Sequence, residues 1–173
     1  MASTSGQGSL PSPPESSAEN DKKQDSTTED STTGDSTAPP KGATGEYLED
    51  LSKQILEVTL NQRDNMHPLV VQHMSPAFRG KHDALPKTNT RDDHQQNLKK
   101  HLETQPNFRV EILNHSSDVD DSRGRGTVFL WYKISGLEGG LGREAVAVLS
   151  WERKQNNWMI IKHSGMRGPS GFS

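Results

Sequence analysis

The sequence predicts an α+β fold: N-terminal helices packed on a strongly curved antiparallel sheet, a cone-shaped α+β barrel that encloses a pocket. Two observations predict it. Residues 108–164 alternate apolar and polar side chains between turn signals and spell out four consecutive strands. All helical patterns precede them, an order that packs helices against one face of an antiparallel meander.

The first 45 residues hold 16 Ser or Thr, five Pro and five Gly, and Leu10 is their only large aliphatic side chain beyond Met1. So little apolar surface cannot offset the entropy of ordering. Residues 1–45 therefore read as a disordered acidic tail, 46–168 as the folded domain and 169–173 as a C-terminal tail. Seven acidic residues against Lys22, Lys23 and Lys41 give the tail a net charge of −4; the whole chain carries −3, which leaves +1 on the other 128 residues. A near-neutral domain gives no electrostatic reason to expect nucleic acid or a membrane as partner. Within the tail, Ser16, Ser26, Thr27 and Thr32 each have an acidic residue three positions on, and Ser12 precedes Pro13. That pattern fits a phosphorylatable segment, while the composition of the tail favours a solubilising spacer.

There is no cysteine, which removes disulfides, thiol nucleophiles and thiolate metal sites together. The N-terminus lacks a basic region followed by an apolar one, and no apolar run approaches the roughly 20 residues of a spanning helix. The expected location is intracellular, cytoplasmic or nuclear.

The first helix begins at 44–46, with Thr44 as its cap and Glu46, Glu49 and Asp50 complementing the helix dipole. Leu48, Leu51, Ile55 and Val58 form its apolar stripe. Asp64-Asn65 breaks the pattern. A short helix follows, with Pro68 in its first turn and Leu69, Val70 and Met74 facing inward; Ser75-Pro76 stops it. Residues 78–80 suit an isolated edge strand, and the polar stretch to Thr88 reads as a loop. A third helix runs from Thr90, which pairs with Asp93 in a capping-box-like arrangement, to about Thr104. On it His94, Leu98, His101 and Leu102 share one face, a stripe half histidine that suits the border of a polar cavity.

Phe108, Val110 and Ile112 open the first long strand, and Asp120-Asp121-Ser122 turns it into a second over 124–135. The glycine-rich connection 136–142 leads to a third over 143–154, and Asn156-Asn157 signals a hairpin into a fourth over 158–164. That hairpin would set Ser150 opposite His163 and place Val146 and Val148 with Met159 and Ile161. A glycine loop symmetric about Gly139 adds Val128, Leu130, Tyr132 and Ile134 to the same side. The other face then collects Phe129, Trp131, Ala145, Ala147, Leu149, Trp151, Trp158 and Ile160. One helical layer covers only one of two apolar faces, so the expected partner is a second copy, a homodimer through Phe129, Trp131, Leu149 and Trp151.

The order of helices, the segment 66–78 (MHPLVVQHMSPAF) and the strands carrying REAV at 143–146 and NWMIIKH at 157–163 resemble the nuclear transport factor 2-like superfamily. Within it the chain is most similar to SnoaL-like proteins and uncharacterised fungal members, over roughly residues 46–168. The resemblance implies a cone-shaped barrel with an apolar pocket, commonly a homodimer through the outer sheet face. It does not choose an activity, because the superfamily includes polyketide cyclases, ketosteroid isomerases, dehydratases, hydrolases and non-catalytic members.

Cyclase and isomerase relatives remove a proton next to a carbonyl with a pocket carboxylate, or a carboxylate with His. The predicted pocket holds His94, Leu98, His101, Leu130, Tyr132, Val148, Ser150, Ile161 and His163, with Glu144 and Glu152 near the strand ends and no acidic residue deep inside. His163, Tyr132 and His94 are the catalytic candidates, as base and donor; each also suits a purely structural hydrogen bond. No cofactor is expected, and no metal. His94 and His101 lie about 10 Å apart along a helix, too far for one ion without ligands from elsewhere, and His67 and His73 show no ligand spacing. Asp118, Asp120 and Asp121 lack the pattern of a calcium loop. The glycines link antiparallel strands and do not open a helix, so they are not a phosphate cradle. Phe129, Trp131, Trp151 and Trp158 lack the basic surround of a base-stacking platform. Arg167 and Gly168 suit the pocket rim or a frayed end. Three readings follow: a dimeric module binding a small apolar ligand, a cofactor-independent cyclase, isomerase or dehydratase, and a dimeric adaptor whose tail recruits partners.

Overall fold

The computed structural model describes residues 43–83, 85–137, 140 and 142–168. The tail from 1 to 42, the expectations of disorder and modification attached to it, and residues 169–173 lie outside the described residues.

Helix α1, Thr44–Leu56, has its cap one residue earlier than expected. Ala43 holds the cap position without a side-chain bond, and Thr44 is a buried residue of the first turn. Leu48, Leu51 and Ile55 are buried along one stripe. The helix then widens into a π turn, Glu57–Asn61, where the Thr59 hydroxyl donates back to the Ile55 carbonyl. Such back-bonding competes with the regular ladder and loosens it. In α2, Pro68–His73, Pro68 sits in the first turn and His67 Nδ1 accepts from the Leu69 amide at 3.2 Å.

Helix α2 ends at His73, before Ser75-Pro76, and Met74, expected on the helix, opens an eight-residue strand, β1, Met74–Lys81, longer than the isolated strand expected at 78–80. Proline is tolerated there because β1 is an edge strand whose register is irregular between Met74 and Arg79. Helix α3, Arg91–Thr104, is capped by Thr90, whose Oγ1 accepts from the Asp93 amide at 3.1 Å. Strands β2, Arg109–Asp120, β3, Arg125–Ser135, β4, Arg143–Lys154, and β5, Asn157–Arg167, complete a curved sheet in the order β1-β5-β4-β3-β2. The meander is antiparallel throughout, while β1 pairs with β5 in parallel, so the sheet is mixed.

The β3–β4 register is off by one, and the β4–β5 turn comes one residue early and is followed by a bulge. Lys154 pairs with Asn157, so the turn residues are Gln155 and Asn156, with φ of 49° and 64°. Val128 pairs with Leu149 across the glycine connection, and the β4–β5 register shifts between Ser150 and Trp151, so that His163 faces Leu149 and not Ser150. Because side chains alternate with period two, the one-residue β3–β4 slip moves the set of β4 to the other face, whereas the displaced β4–β5 turn shifts its pairs by two and keeps the face until the bulge at Ile161 turns His163. Ala145, Ala147, Leu149, Trp151, Trp158 and Ile160 therefore join Val128, Leu130 and Tyr132 in the core, all buried. Leu149 and Trp151, expected at a dimer face, are 2% and 1% exposed and cannot meet a partner. The Trp151 indole instead donates to Ser52 Oγ of α1 at 3.2 Å. Phe129 and Trp131 remain on the outer face, 40% and 49% exposed.

Two polar clamps fix the helices to the sheet. The Asn61 amide donates to the Val110 carbonyl at 2.9 Å and accepts from the Val110 amide at 2.8 Å, extending the β2 ladder by one side chain. The Arg63 guanidinium donates to the carbonyls of Leu102, Gln105 and Pro106, satisfying the C-terminus of α3. Among the described residues no helix is long and apolar enough to cross a membrane.

Candidate histidine-lined cavity

A cavity of about 270 Å³ lies between the helices and the inner sheet face. Its apolar wall comes from Ile55, Leu56 and Leu60 at the end of α1 and in the π turn, Leu98 of α3, and Phe108 and Ile134 of the β2–β3 side. The widened turn thus contributes directly to the cavity. Of the residues expected in the pocket, His94, Leu98, His101, Tyr132 and His163 line it. Leu130 is fully buried on the same sheet face, within the core. Val148, Ser150 and Ile161 are not on this side: the register slip turns them outward, and Ser150 and Ile161 border a shallow outer depression with Asp118 and Thr127.

The fold adds a residue that sequence reasoning passed over. His82 follows β1, in the polar stretch read as a loop, and points into the cavity. It meets His94 from α3 and His163 from β5. Ring centroids stand 4.3 Å apart for His82 and His163, edge to face, 5.2 Å for the stacked His82 and His94, and 6.3 Å for His94 and His163. One ring nitrogen from each lies within 4.8 Å of the others. The argument from spacing along α3, which excluded a single ion, does not reach this arrangement, because the other rings come from elsewhere in the chain.

The backbone holds the cluster in place. Gly80 pairs with His163 across the parallel β1–β5 contact, and Thr88 returns to exchange both backbone hydrogen bonds with Gly80 at 3.0 and 3.1 Å. The segment between is thereby tied at its base with His82 inside it. A Cβ at Gly80 would come within 2.6 Å of Thr88 Oγ1 and 2.8 Å of His94 Nδ1; one at Gly165 would come within 2.8 Å of His82 Nδ1. Both positions need the missing side chain for the rings to sit where they do.

Burial pushes His82 and His94 down to about 4, opposed at His82 by the Asp83 carboxylate and reinforced at His94 by His82. His163 is driven well below the ordinary range by burial first and by its two neighbours second. All three are neutral at pH 7. His82 Nε2, His94 Nδ1 and His163 Nε2 are shielded from solvent and have no hydrogen-bond partner, and neither has the buried Thr88 Oγ1. Unmade bonds of this kind are expensive. His101 also lines the cavity, its ring against Phe108 at 6.0 Å and its pKa lowered by burial, but it is not part of the trio. Burial raises the Tyr132 phenol, so it stays a neutral hydroxyl. The carboxylates on the lining, Asp83 and Glu144, are solvent-exposed, and Glu144 accepts from the Trp131 indole at 3.0 Å. Neither is the buried acid that cyclase-type relatives use.

No family model matches the chain, and no curated protein is similar to it in sequence. Solved structures are similar in fold. A protein of unknown function from Pseudomonas putida KT2440, described as nuclear transport factor 2-like, superposes with a TM-score of 0.60 at 8% identity, covering 73% of this chain and 88% of its own. This chain has the nuclear transport factor 2-like fold. Another such structure is a protein of unknown function with a cystatin-like fold from Nostoc punctiforme PCC 73102, at a TM-score of 0.57 and 12% identity over 72% of this chain and 92% of that one. The hexachlorocyclohexane dehydrochlorinase LinA-type3 from Novosphingobium barchaimii LL02 matches at 0.56 and 13%, over 70% and 84%. At these identities the nuclear transport factor 2-like fold is common ground and the chemistry is not.

Proposed function

We propose that the domain is a SnoaL-like module that binds a small apolar ligand and turns one polar group of it toward the histidines. The observation that carries this reading is a hollow of about 270 Å³, apolar over most of its wall, with His82, His94, His101 and His163 on its lining. A dry apolar cavity of roughly 150 Å³ holds benzene, so this volume suits a fused bicyclic compound with one hydroxyl or carbonyl. An open hollow also argues against a domain that serves only as an adaptor.

The test uses 2-naphthol as probe. Calorimetric titration of the full chain should give one saturable site. Leu98→Trp, which fills the cavity from α3, should abolish it while circular dichroism stays native. Equal affinity in that variant, or no binding by the unmutated chain, removes the reading.

A second reading, proton transfer in a cyclase, isomerase or dehydratase, draws support from a single feature: neutral imidazole nitrogens in an apolar site can accept a proton from carbon next to a carbonyl. His163, Tyr132 and His94 are its candidate residues, now with His82. We further propose that the outer sheet face pairs with a second copy through Phe129 and Trp131, the two exposed aromatic side chains of β3.

A further inference from the structure

We propose that His82, His94 and His163 bind one divalent first-row transition ion, with zinc the species that fits best. The inference shares the cavity with the ligand reading but does not rest on it, since the ion needs no organic molecule to be held.

Geometry comes first. Three imidazoles from three separate segments each aim a nitrogen into a space where all three lie within 4.8 Å of one another. Zinc–nitrogen bonds of about 2.0–2.1 Å at tetrahedral angles separate ligand nitrogens by roughly 3.4 Å. Closure of the widest pair therefore takes a movement of the order of one ångström, within the reach of ring rotation. The rings are otherwise pre-positioned by the Gly80–His163 pairing, the Gly80–Thr88 bridge and the two glycines that leave room for them.

Chemistry points the same way. Each of the three rings has one buried nitrogen without a partner, and an ion on the trio relieves that deficit at every such nitrogen it ligates. The rings are already neutral, the form that ligates. An all-imidazole donor set suits zinc, cobalt, nickel or copper and not magnesium or calcium, which require oxygen. Three protein ligands leave a fourth position, as in open zinc sites that hold water. The unpartnered Thr88 hydroxyl and His94 Nδ1 both lie against Gly80.

The test begins with full-length protein stripped by chelator and titrated with cobalt(II), read by visible absorption, with zinc as competitor. One equivalent of a low-symmetry four- or five-coordinate cobalt signal, displaced by zinc, is expected. His82→Asn and His94→Gln should each weaken binding by about 100-fold or more, since each removes a ligand outright. His115→Gln should leave it unchanged. Absence of saturable binding, unchanged affinity in the cluster variants, or loss of binding in the His115 variant overturns the proposal. Should a cluster variant fail to fold, zinc-edge X-ray absorption of the unmutated protein decides: three imidazoles support the site, two or fewer overturn it. Binding of 2-naphthol by the metal-free chain is scored separately, so either reading can fail alone.

Discussion

Glu49 shows how single residues bind helix to sheet. Its carboxylate accepts from Ser117 Oγ at 2.6 Å and from His115 Nδ1 at 2.7 Å, joining α1 to β2. The Ser117 hydrogen bond, with help from His115 and Lys53, holds its pKa below the usual glutamate value against a smaller opposing effect of burial. A carboxyl with a folded pKa below its unfolded one stabilises the fold fully above the unfolded value, about 4.3, and loses that contribution as pH falls through the folded value. Glu49→Gln should cost about 1 kcal/mol at neutral pH and flatten the loss of stability below about pH 4.3, measured by urea unfolding across a pH series. At this scale the sequence was partly legible. The stripe on α3 identifies His94, Leu98 and His101 because helical periodicity is local, and alternation finds Tyr132, whereas His163 shares the inner face with Trp158 and Ile160 only because a bulge at Ile161 breaks the alternation of β5. His82 carries no such signal, since it sits in a polar connection and reaches the cavity only through the parallel pairing of β1, which no local pattern specifies.

Among the elements, the β4–β5 hairpin is the informative case. Its two turn residues, Gln155 and Asn156, both have positive φ, the requirement of a type I′ turn. Asn at the second position is suited to it, but Gln at the first is strained. Replacing the pair by Asn-Gly, as Gln155→Asn with Asn156→Gly, should therefore stabilise the protein by about 0.5–1 kcal/mol. A rise in thermal midpoint would show it, and a fall would mean the turn is built otherwise. This residue choice explains why the strands were legible and their pairing was not. Asn156-Asn157 is the better turn signal on composition alone, yet the chain turns one residue earlier, leaving Asn157 free to begin β5 with its Nδ2 donating to the Gln72 carbonyl at 3.3 Å. The irregularities between Met74 and Arg79 in β1, at Leu113 in β2 and at Ile161 in β5 are equally silent in the sequence, because a bulge is set by what the strand must curve around.

For the molecule as a whole, the outer sheet face exposes Phe129 and Trp131 of β3. If the proposed dimer forms there, Trp131→Glu should convert it to monomer in sedimentation velocity while leaving the cavity and its 2-naphthol affinity intact. A dimer that survives the change places its contact elsewhere. Overall architecture was the most legible property, since element order and alternation suffice for helices followed by a meander. The assignment of inner and outer faces was the least legible, as it multiplies two registers that are each uncertain by one residue.

The parallel contact between β1 and β5 joins the earliest strand to the last, Met74 opposite Ile160 and Gly80 opposite His163. Closing so long a loop is slow compared with zipping up adjacent hairpins. During synthesis the meander from β2 to β4 has its neighbours at hand, whereas β1 must wait for a strand not yet made. The imidazoles of His82 and His163 therefore meet only near the end of folding, so whatever the cavity holds is captured by a nearly finished protein.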